Sequence, residues 1–490
     1  MTRFARSILT VALFGALAAC EDSNEPGSQV IGLSSQSVAV IGVEGGTTPD
    51  SATISVTNEG TGTLGALEAS VTYEAGQPTG WLTAALADTV APTTLTLEAT
   101  VGALARGQYL ASVAVASAGV SNSPQTAEVV FIVGDPAQAW TSVHVRESGT
   151  CALMPVGAAF CWGAGDMGQI GDGLNTFRLV PTAVSGGLAF AGLTVGAEHT
   201  CALDAAGTAY CWGANDAGQL GDNTTTNRRE PVEVAATVTL ASVTAGGSHT
   251  CGLTATGEAY CWGSNDAGQL GDSSTARRLT PTAVLGGLTF TSLTAGAGHT
   301  CGLTAAGEAY CWGDNTAGQL GDDTRGRRLM PTAVAGGLVF ADLAAGSVHT
   351  CGLTAAGEAY CWGSNDFGQL GDGTVANRQV PTAVVGGITF AHLAADAGGQ
   401  HTCALDGAGS AYCWGDNSAG QLGDGTRTNR LSPTPVAGGL TFTNLSGGGS
   451  HTCGVATAAG AAYCWGANAT GQLGDGTRVD RLMPAETLHP

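Results

Sequence analysis

The stretch CGLTAAGEAYCWGDNTAGQLGD occupies residues 301–322 and decides the fold of this chain of 490 residues. The same word recurs in seven copies, which begin at Cys151, Cys201, Cys251, Cys301, Cys351, Cys403 and Cys453. The period is fifty residues, stretched to fifty-two once by Gly398-Gly399-Gln400. A repeat of this length indicates structural units that bury their apolar faces against one another.

Between the copies runs a second shared word, R-x-x-P-T-A-V-x-G-G-L-x-F-x-x-L, as in residues 278–293. Each repeat predicts four strands. PTAV and LTFTSLTAG are joined by a turn at Gly286-Gly287, and HTCGLT and EAYCWG are joined by a turn that ends at Gly257. Four strands in fifty residues predict a propeller blade, and seven units predict a closed all-β ring over residues 135–490. A solenoid would need polar capping repeats, which the sequence does not show.

The ends of the repeat predict how the ring closes. The first copy begins with AWTSV, where Trp140 takes the place of Phe290, and no PTAV word precedes it. The last copy ends in residues 484–488, which resemble PTAV and have no following strand. We therefore expect residues 484–488 to pair with residues 139–144 and to complete the first blade, leaving no open sheet edge at the seam.

The motif WG-x-N-x-x-GQLG, followed by G-x-x-HT-x-x-L-x-x-x-G, resembles the repeat of the regulator of chromosome condensation family, a seven-bladed propeller. The resemblance covers about 350 residues and implies the fold much more specifically than the function. The founding member is a nuclear exchange factor for a small GTPase and binds chromatin, an activity that an exported, acidic chain is not expected to share. A secreted β-lactamase-inhibitor propeller of similar repeats, which acts purely by binding, is the better parallel. The two Cys in every repeat depart from the family.

Composition excludes several function classes. All 17 basic residues are Arg, so a P-loop lysine, a Schiff-base lysine and a kinase-type lysine are absent. The net charge of -22 would repel a phosphate backbone, so nucleic acid is not an expected partner. The 77 Gly and the 43% hydrophobic content indicate a folded, turn-rich β-protein rather than a disordered chain.

The first residues, MTRFARSILTVALFGALAAC, read as an export signal over residues 1–19. The signal ends in Leu17-Ala18-Ala19-Cys20, which resembles a bacterial lipobox; the alternative is an ordinary signal with an incidental Cys. Cys20 has no sequence partner, because the other fourteen Cys fall into seven pairs. We therefore expect lipid on Cys20, a polar tether over residues 20–33, and anchoring of the exported chain to the cell envelope, with the outer membrane favoured.

Residues 34–134 contain no Cys and hold alternating runs such as SATISVTN and TLTLEATV, separated by Gly, Pro and Asn. The pattern predicts a small all-β sandwich. The segment from Gly80 onward resembles a bacterial immunoglobulin-like module often labelled carbohydrate-binding. Trp81 could stack on a sugar, but a core position is the favoured interpretation, and we treat this module as a spacer.

The paired Cys predict disulfides within hairpins. Folding the third hairpin about Ala255-Thr256-Gly257 places Cys251 opposite Cys261, within disulfide distance, and export permits the bond. The predicted pairs are Cys151/Cys161, Cys201/Cys211, Cys251/Cys261, Cys301/Cys311, Cys351/Cys361, Cys403/Cys413 and Cys453/Cys464. Zinc is the weighed alternative, disfavoured because the sets lie on separate blades; we predict no metal and no cofactor.

Other recurring residues are interpreted as scaffold, because a catalytic residue needs to occur only once. A His precedes the first Cys in six copies, with Gly149 instead in the first, and we expect it to form hydrogen bonds between neighbouring blades. The Trp of each YCWG or FCWG word is expected to pack between blades. The Asp after GQLG, with an Arg six residues later, is interpreted as a turn cap and local ion pair. Calcium stays an alternative, although no D-x-[DN]-x-[DN]-G loop is present.

Function is expected where the copies differ, in the long loop from WG through GQLG to R-x-x-P, interpreted as a blade-to-blade connection. Exposed aromatic, Met and Arg side chains are typical of interfaces, and neutral variation in tolerant loops is the alternative. The candidates are Met167, Phe177, Arg277, Arg325, Phe367, Arg427 and Arg478. The favoured function is a monomeric, non-catalytic binding platform for a protein or glycan. The alternatives are a structural envelope component and an enzyme such as a lyase, for which no unique catalytic set stands out.

Overall fold

The computed structural model describes residues 29–34, 37–43, 50–74, 77–104, 107–134, 139–395, 398–458 and 460–488. Across these ranges the regular elements are β-strands, arranged in nine four-stranded sheets. The described ranges contain no helix long and apolar enough to cross a membrane. The export signal, Cys20 and the first part of the predicted tether lie outside the described residues.

The N-terminal module consists of two sheets, with strand orders β1-β3-β6-β5 and β2-β8-β7-β4. The strands are β1 Ile31–Leu33, β2 Ser37–Val43, β3 Asp50–Asn58, β4 Leu67–Tyr73, β5 Leu82–Leu86, β6 Thr93–Ala99, β7 Gly107–Ser117 and β8 Gln125–Gly134. β2 runs parallel to β8, and the other neighbours are antiparallel. Alternate residues of both sheets are buried in one shared core. β1 lies within the range that the sequence assigned to the tether.

Trp81 lies at the centre of this core. Its side chain is 3% exposed and stacks on Phe131 with ring centroids 5.3 Å apart, while Tyr73 approaches edge-on at 5.6 Å. A Trp side chain that is buried to this extent among other rings has no exposed face on which a sugar could stack. The core interpretation of Trp81 is confirmed.

From residue 142 to residue 486 the chain forms seven antiparallel sheets, here called sheets 1 to 7 in chain order. The first strands are Ser142–Val145, Phe190–Val195, Ser242–Ala245, Ser292–Ala295, Asp342–Ala345, Phe390–Ala394 and Phe442–Gly447. The second strands are Gly149–Leu153, His199–Asp204, His249–Leu253, His299–Leu303, His349–Leu353, His401–Asp406 and His451–Ala456. The third strands are Ala159–Gly163, Ala209–Gly213, Ala259–Gly263, Ala309–Gly313, Ala359–Gly363, Ala411–Gly415 and Ala462–Gly466. The fourth strands are Arg178–Ala183, Arg228–Glu233, Arg278–Ala283, Arg328–Ala333, Arg378–Ala383, Arg430–Pro435 and Arg481–Glu486.

The predicted grouping of strands into sheets is wrong: the observed sheets begin one strand later in each repeat than predicted. The PTA strand is the fourth strand of the sheet whose Cys hairpin precedes it, with Cys261 opposite Thr282 and Gly263 opposite Arg278. The Gly286-Gly287 turn therefore leads from one sheet to the next, and the long loop after WG stays within one sheet. Loop length misled the interpretation, since the short turn resembles a hairpin although the strands on either side of it are not paired.

The predicted closure of the ring is wrong for the same reason. The strand Arg481–Glu486 pairs with Ala462–Gly466 of its own sheet, with Cys464 opposite Ala485, and does not pair with residues 139–144. Sheet 1 already has a fourth strand from its own repeat, Arg178–Ala183. Sheet 1 therefore has no free position for the C-terminal strand.

Sheet 7 instead packs against sheet 1 by side-chain contacts. Val143 N–H donates to Asn444 Oδ1 and Val145 N–H donates to Ser446 Oγ, both at 2.9 Å. Each first strand contacts the first strands of both neighbouring sheets, and the seventh contacts the first. The arrangement is that of a β-propeller, with the first strands nearest the axis and the fourth strands at the rim.

Candidate binding face

The two Cys of each hairpin are bonded to each other in all seven sheets. Cys251 lies directly opposite Cys261, with 4.1 Å between the Cα atoms, and both are fully buried. The other six bonds have the same Cα separation and the same burial. They are Cys151–Cys161, Cys201–Cys211, Cys301–Cys311, Cys351–Cys361, Cys403–Cys413 and Cys453–Cys464.

The predicted pairing of the Cys is therefore confirmed, including the last pair, whose spacing is eleven residues instead of ten. Each bond closes a loop of about ten residues and stabilises the folded chain by roughly 2–3 kcal/mol in the chain-entropy account. A sulfur that is held in a disulfide cannot act as a thiolate ligand, so these Cys are not available to zinc.

The recurring His join consecutive sheets through their Nε2 atoms, as predicted. His249 Nε2 lies 2.9 Å from Thr300 Oγ1, and His451 completes the circle on Thr150 at the same distance. The remaining pairs are His199–Thr250, His299–Thr350, His349–Thr402 and His401–Thr452. The imidazoles are fully buried, and burial lowers the pKa of each to about 3 or about 4. They are therefore neutral, fixed parts of the scaffold.

Sheet 1 replaces this His in a way that the sequence interpretation recorded only in part. Each of the other His stands three residues after a Gly, and a Cβ on Gly196 would lie 2.3 Å from His199 Cε1. In sheet 1 the large and the small residue have exchanged places. Arg146 occupies the position of that Gly, and Gly149 occupies the position of the His. A Cβ on Gly149 would meet the Arg146 guanidinium at 2.5 Å.

Arg146 takes over the bridging role of the missing His. Its Nη1 donates to Thr200 Oγ1 of sheet 2 at 3.3 Å and to Gln169 O at 2.9 Å, and its Nη2 donates to Ala164 O at 2.7 Å. The side chain is 2% exposed, and burial lowers its pKa to about 9, against the opposing effect of Asp166. Arg146 is thus buried and charged at neutral pH. An Arg occupies this position in sheet 1 alone of the seven sheets.

The recurring Trp are also part of the scaffold. Trp262 is fully buried, and its Nε1 donates to Gln219 O of the preceding sheet at 3.0 Å. The other six Trp make the same bond, and Trp162 reaches Gln472 of sheet 7. Packing of Trp between sheets is therefore confirmed.

The Asp and Arg of each long loop form the predicted ion pair, as in Asp222–Arg228 at 2.6 Å. Burial alone would raise the pKa of Asp222, but hydrogen bonds from Thr224, Arg228 and Asn215 outweigh it and lower the pKa. Both carboxylate oxygens already accept hydrogen bonds. Asn215, whose role the sequence interpretation missed, is fully buried and holds the loop together through Asp222 Oδ1 and two backbone carbonyls.

The seven residues singled out as binding candidates all lie on the long loops, at one face of the ring. Phe177 is 47% exposed, and the guanidinium of Arg478 lies over its ring at 6.0 Å. These two residues join the long loops of sheets 1 and 7. Arg427 binds Ser418 O and the Asp480 carboxylate at 2.9 Å.

The remaining candidates are dispersed. Arg277 is exposed and donates to Asp216 O at 3.1 Å, and Arg325 is exposed. Met167 and Phe367 are half-buried. Within the described residues, Phe177 and Arg478 are the two members of the predicted set shown in mutual contact, and they lie at the junction of sheets 1 and 7.

One acid–base pair lines the inner side of the ring and was missed because its residues lie fifty positions apart. Asp342 and His392 occupy equivalent places on the first strands of sheets 5 and 6, with 3.7 Å between Oδ2 and Nδ1. Burial raises the pKa of Asp342, against the opposing effect of His392. Both side chains keep about two fifths of their surface exposed.

The sequence profile of the RCC1-like domain matches residues 119–488. Among curated proteins, the chain is 40% identical over 87 residues to the probable E3 ubiquitin-protein ligase HERC4 of Homo sapiens, a match that covers 17% of this chain and 8% of that protein. It is 41% identical over 90 residues to the ultraviolet-B receptor UVR8 of Arabidopsis thaliana, a match that covers 18% of this chain and 20% of the receptor. The chain thus spans a fifth or less of the length of these relatives.

Two solved structures share the fold. Human WBSCR16 superposes with a TM-score of 0.62 at 20% identity, covering 68% of this chain and 94% of that one. Prp20p from Saccharomyces cerevisiae superposes with a TM-score of 0.60 at 23% identity, covering 72% of this chain and 88% of that one. At these identities the likeness concerns the fold alone.

Proposed function

The chain belongs to the family of RCC1-like domain proteins, and from this premise we propose that it is a non-catalytic binding platform held at the cell envelope. In this proposal the seven sheets are the blades of one closed propeller, and the N-terminal module is an immunoglobulin-like sandwich. The platform acts through the face that carries the long loops. The partner is a protein or a glycan.

The recurring residues support a binding role because the scaffold already uses them. The Cys are bonded in pairs, the His and Trp bridge consecutive sheets, and the Asp–Arg pairs fix the long loops. The exposed surface of those loops, by contrast, differs from sheet to sheet. The observation that carries the proposal is the contact of Arg478 with the exposed ring of Phe177, an aromatic–Arg pair of the kind enriched at protein interfaces.

Capture of partners from envelope extracts tests the proposal. The purified chain is immobilised, and the variants Phe177→Ala and Arg478→Ala are compared with Val156→Ala. Val156 is 74% exposed on the opposite face, in the hairpin turn of sheet 1, so it controls for loss of exposed apolar surface. We expect the two loop variants to lose a captured partner that the control retains. If all three variants still capture the same partner, its binding site does not include Phe177 or Arg478.

Anchoring through lipid on Cys20 is part of the same proposal. The lipobox-like Leu17-Ala18-Ala19-Cys20 supports it, together with the disulfides, which form in oxidising compartments. Intact mass of the mature protein tests it. A mature N-terminus at Cys20 with added acyl mass is expected, and an N-terminus beyond Cys20 would contradict it.

An enzymatic role has one observation in its favour, the Asp342–His392 pair beside the axis of the ring. A carboxyl and an imidazole in contact can transfer a proton to and from a bound substrate. If the pair is catalytic, His392→Gln abolishes turnover of a substrate found by screening polysaccharides for lyase products. If the pair only links sheets 5 and 6, the variant changes stability and nothing else.

A further inference from the structure

The N-terminal module packs one of its leucines on the rim of the ring. Leu110 of β7 contacts a small apolar cluster formed by Leu179, Val180 and Leu488. Leu488 follows the fourth strand of sheet 7, whereas Leu179 and Val180 belong to the fourth strand of sheet 1. The module therefore occupies a junction between two neighbouring sheets, and these three ring residues are here called the 7/1 rim site.

The repeat produces an equivalent junction between every two neighbouring sheets. Each junction combines the residue two positions after the fourth strand of one sheet with the second and third residues of the next sheet's fourth strand. Besides the 7/1 rim site, three large apolar side chains occur at one junction, between sheets 3 and 4, where Leu285 is combined with Leu329 and Met330. The other junctions contain a small, polar or charged residue, such as Glu230 between sheets 1 and 2 or Ala437 between sheets 6 and 7.

The junction of Leu285, Leu329 and Met330, here called the 3/4 rim site, has the same local geometry as the 7/1 rim site. Leu285 N–H donates to Gly271 O at 3.0 Å, and a Cβ on Gly268 would meet Leu329 Cδ2 at 2.5 Å. The equivalent two contacts of the 7/1 rim site have the same lengths. In both sites, therefore, the GQLG segment of the preceding sheet positions the two leucines side by side.

The two rim sites differ in whether they are covered. Leu285 and Met330 are 46% and 44% exposed, whereas Leu488 and Val180 at the same places are 6% and 1% exposed. Covering exposed apolar surface is favourable. The 7/1 rim site shows which surface fits, namely β7 of the module with its Leu110. A second copy of the chain carries that same surface.

Charge also favours the module as the occupant of the 3/4 rim site. Arg325 and Arg327 lie in the loop that leads into this rim strand, and Arg327 donates to Asp266 O of sheet 3 at 3.1 Å, so its guanidinium spans the junction. The module is strongly acidic, and the backbone N–H of its exposed Glu74 donates to Leu110 O at 3.4 Å. The charged residues of the module are Glu44, Asp50, Glu59, Glu68, Glu74, Asp88, Glu98 and Glu128, against Arg106.

We propose that the 3/4 rim site binds the N-terminal module of a second copy of this chain, with Leu110 of that copy packed against Leu285, Leu329 and Met330. A module bound in this way has left the 7/1 rim site of its own ring, because both sites use the same leucine. The intramolecular contact therefore competes with the intermolecular one and keeps the natural chain monomeric. Since the two surfaces in contact differ, the assembly is head-to-tail and can extend beyond two copies.

Val180→Glu is designed to release the module from its own ring. Sheet 2 carries Glu230 at the equivalent place, so a rim strand accepts this side chain. Sedimentation equilibrium of the full chain is expected to show self-association roughly tenfold tighter, or more, than that of the natural chain, because the competing contact is lost. Val180→Glu/Met330→Glu, which also places a charge in the 3/4 rim site, is expected to stay monomeric. Val180→Glu/Met483→Glu, which alters the exposed rim Met of sheet 7, is the control and should associate as Val180→Glu does.

Mixing two variants separates docking of the module from other kinds of association. Val180→Glu/Met330→Glu offers a free module and a blocked site, whereas Leu110→Asp offers an open site and a module that cannot dock. Each is expected to be monomeric alone, and the two together are expected to form a one-to-one complex. A mixture that stays monomeric, or self-association of Leu110→Asp by pairing of rim with rim, would overturn the proposal.

Small-angle scattering at low concentration checks that the module has left the ring in Val180→Glu. If the radius of gyration is that of the natural chain, Leu488→Glu is added to the variant and the mixing experiment is repeated. A module that stays on the ring in both variants would also overturn the proposal, since the apolar cluster around Leu110 would then not be what holds it.

Discussion

At the scale of the residue, one hydrogen bond between neighbouring sheets recurs around the ring, with a His as the bridging residue in six sheets and an Arg in the seventh. Six buried His and one buried Arg each join a sheet to the Thr of the next. In four sheets a Gly three residues earlier clears the space for the imidazole, as Gly196 does for His199, and in sheet 1 Gly149 clears the space for Arg146. Arg146 and Gly149 form one unit, so neither can be changed without the other.

The Arg146–Gly149 unit is expected to tolerate a double exchange better than either single exchange. Gly149→His alone places a ring where the guanidinium lies, and Arg146→Gly alone leaves Thr200 and Gln169 without their donor. Each single change is expected to destabilise the fold by about 2 kcal/mol or more. The double change recreates the Gly–His arrangement of sheet 2, and its loss should be much smaller. Denaturant unfolding of the four proteins measures this coupling, and additive losses would contradict it.

The buried His also predict how stability depends on pH. Their folded pKa values, about 3 to about 4, lie below the unfolded value of 6.5, so the unfolded chain binds more protons between these limits. Stability is therefore complete above pH 6.5 and falls as the pH drops towards 4, by about 1.4 kcal/mol per pH unit for each His. Carboxylates such as Asp222, whose pKa is lowered from 3.8, add their losses only below this window.

Urea midpoints at pH 7.5, 6.0, 5.0 and 4.5 measure the effect. His299→Gln removes one of the six bridging imidazoles and should flatten the pH profile, although it lowers stability at pH 7.5. His144, whose pKa burial also lowers to about 4, titrates in the same window in both proteins. A midpoint that stays constant from pH 7.5 to pH 4.5 would show that the imidazoles are not held neutral in the folded chain.

At the scale of the element, the fourth strand of each sheet is an open edge at the rim. Each carries a Pro at the same place, and the sequence there reads R-x-x-P. Pro has no backbone N–H, so it interrupts the row of donors that another strand could use. Exposed apolar side chains next to it, such as Met330 at 44% and Met483 at 53%, would otherwise favour edge-to-edge pairing.

The rim Pro lead to a prediction about solubility. Replacing Pro331 and Pro381 by Thr restores two N–H donors on neighbouring rim strands. The unfolding midpoint is expected to change little, while light scattering should detect concentration-dependent self-association absent from the natural sequence. Replacing Thr332 and Thr382 by Val, which leaves both Pro in place, serves as the control. A double Pro variant that stays as dispersed as the control would contradict a protective role.

At the scale of the whole molecule, the N-terminal module contacts the ring and does not only extend from it. Val180 of sheet 1 is 1% exposed, whereas Met330 at the equivalent place in sheet 4 is 44% exposed. Val180 is covered by Leu488 and by Leu110 of β7. The contact lies at the rim of sheet 1.

Breaking this contact is expected to release the module. Leu110→Asp places a charge against Val180 and Leu488, and small-angle scattering should show a larger radius of gyration with both parts still folded. Met330→Asp places the same charge at an exposed rim position and should leave the radius unchanged. An unaltered radius for Leu110→Asp would show that the module is held in another way, or not at all.

The repeat, its four strands, the Cys pairing and the scaffold role of His, Trp and the Asp–Arg pairs could be predicted from the order of the amino acids. These features depend on spacing within one hairpin or on a pattern repeated every fifty residues. The three-dimensional fold was needed to assign the strands to sheets, since a Gly-Gly turn has the same local form whether the chain turns back or moves on to the next sheet. It alone brought Leu110 against Val180 and Leu488, joined Asp342 to His392, and paired Phe177 with Arg478 from opposite ends of the repeat. Such contacts form between sheets, where distance in space is set by the closure of the ring and not by distance along the chain.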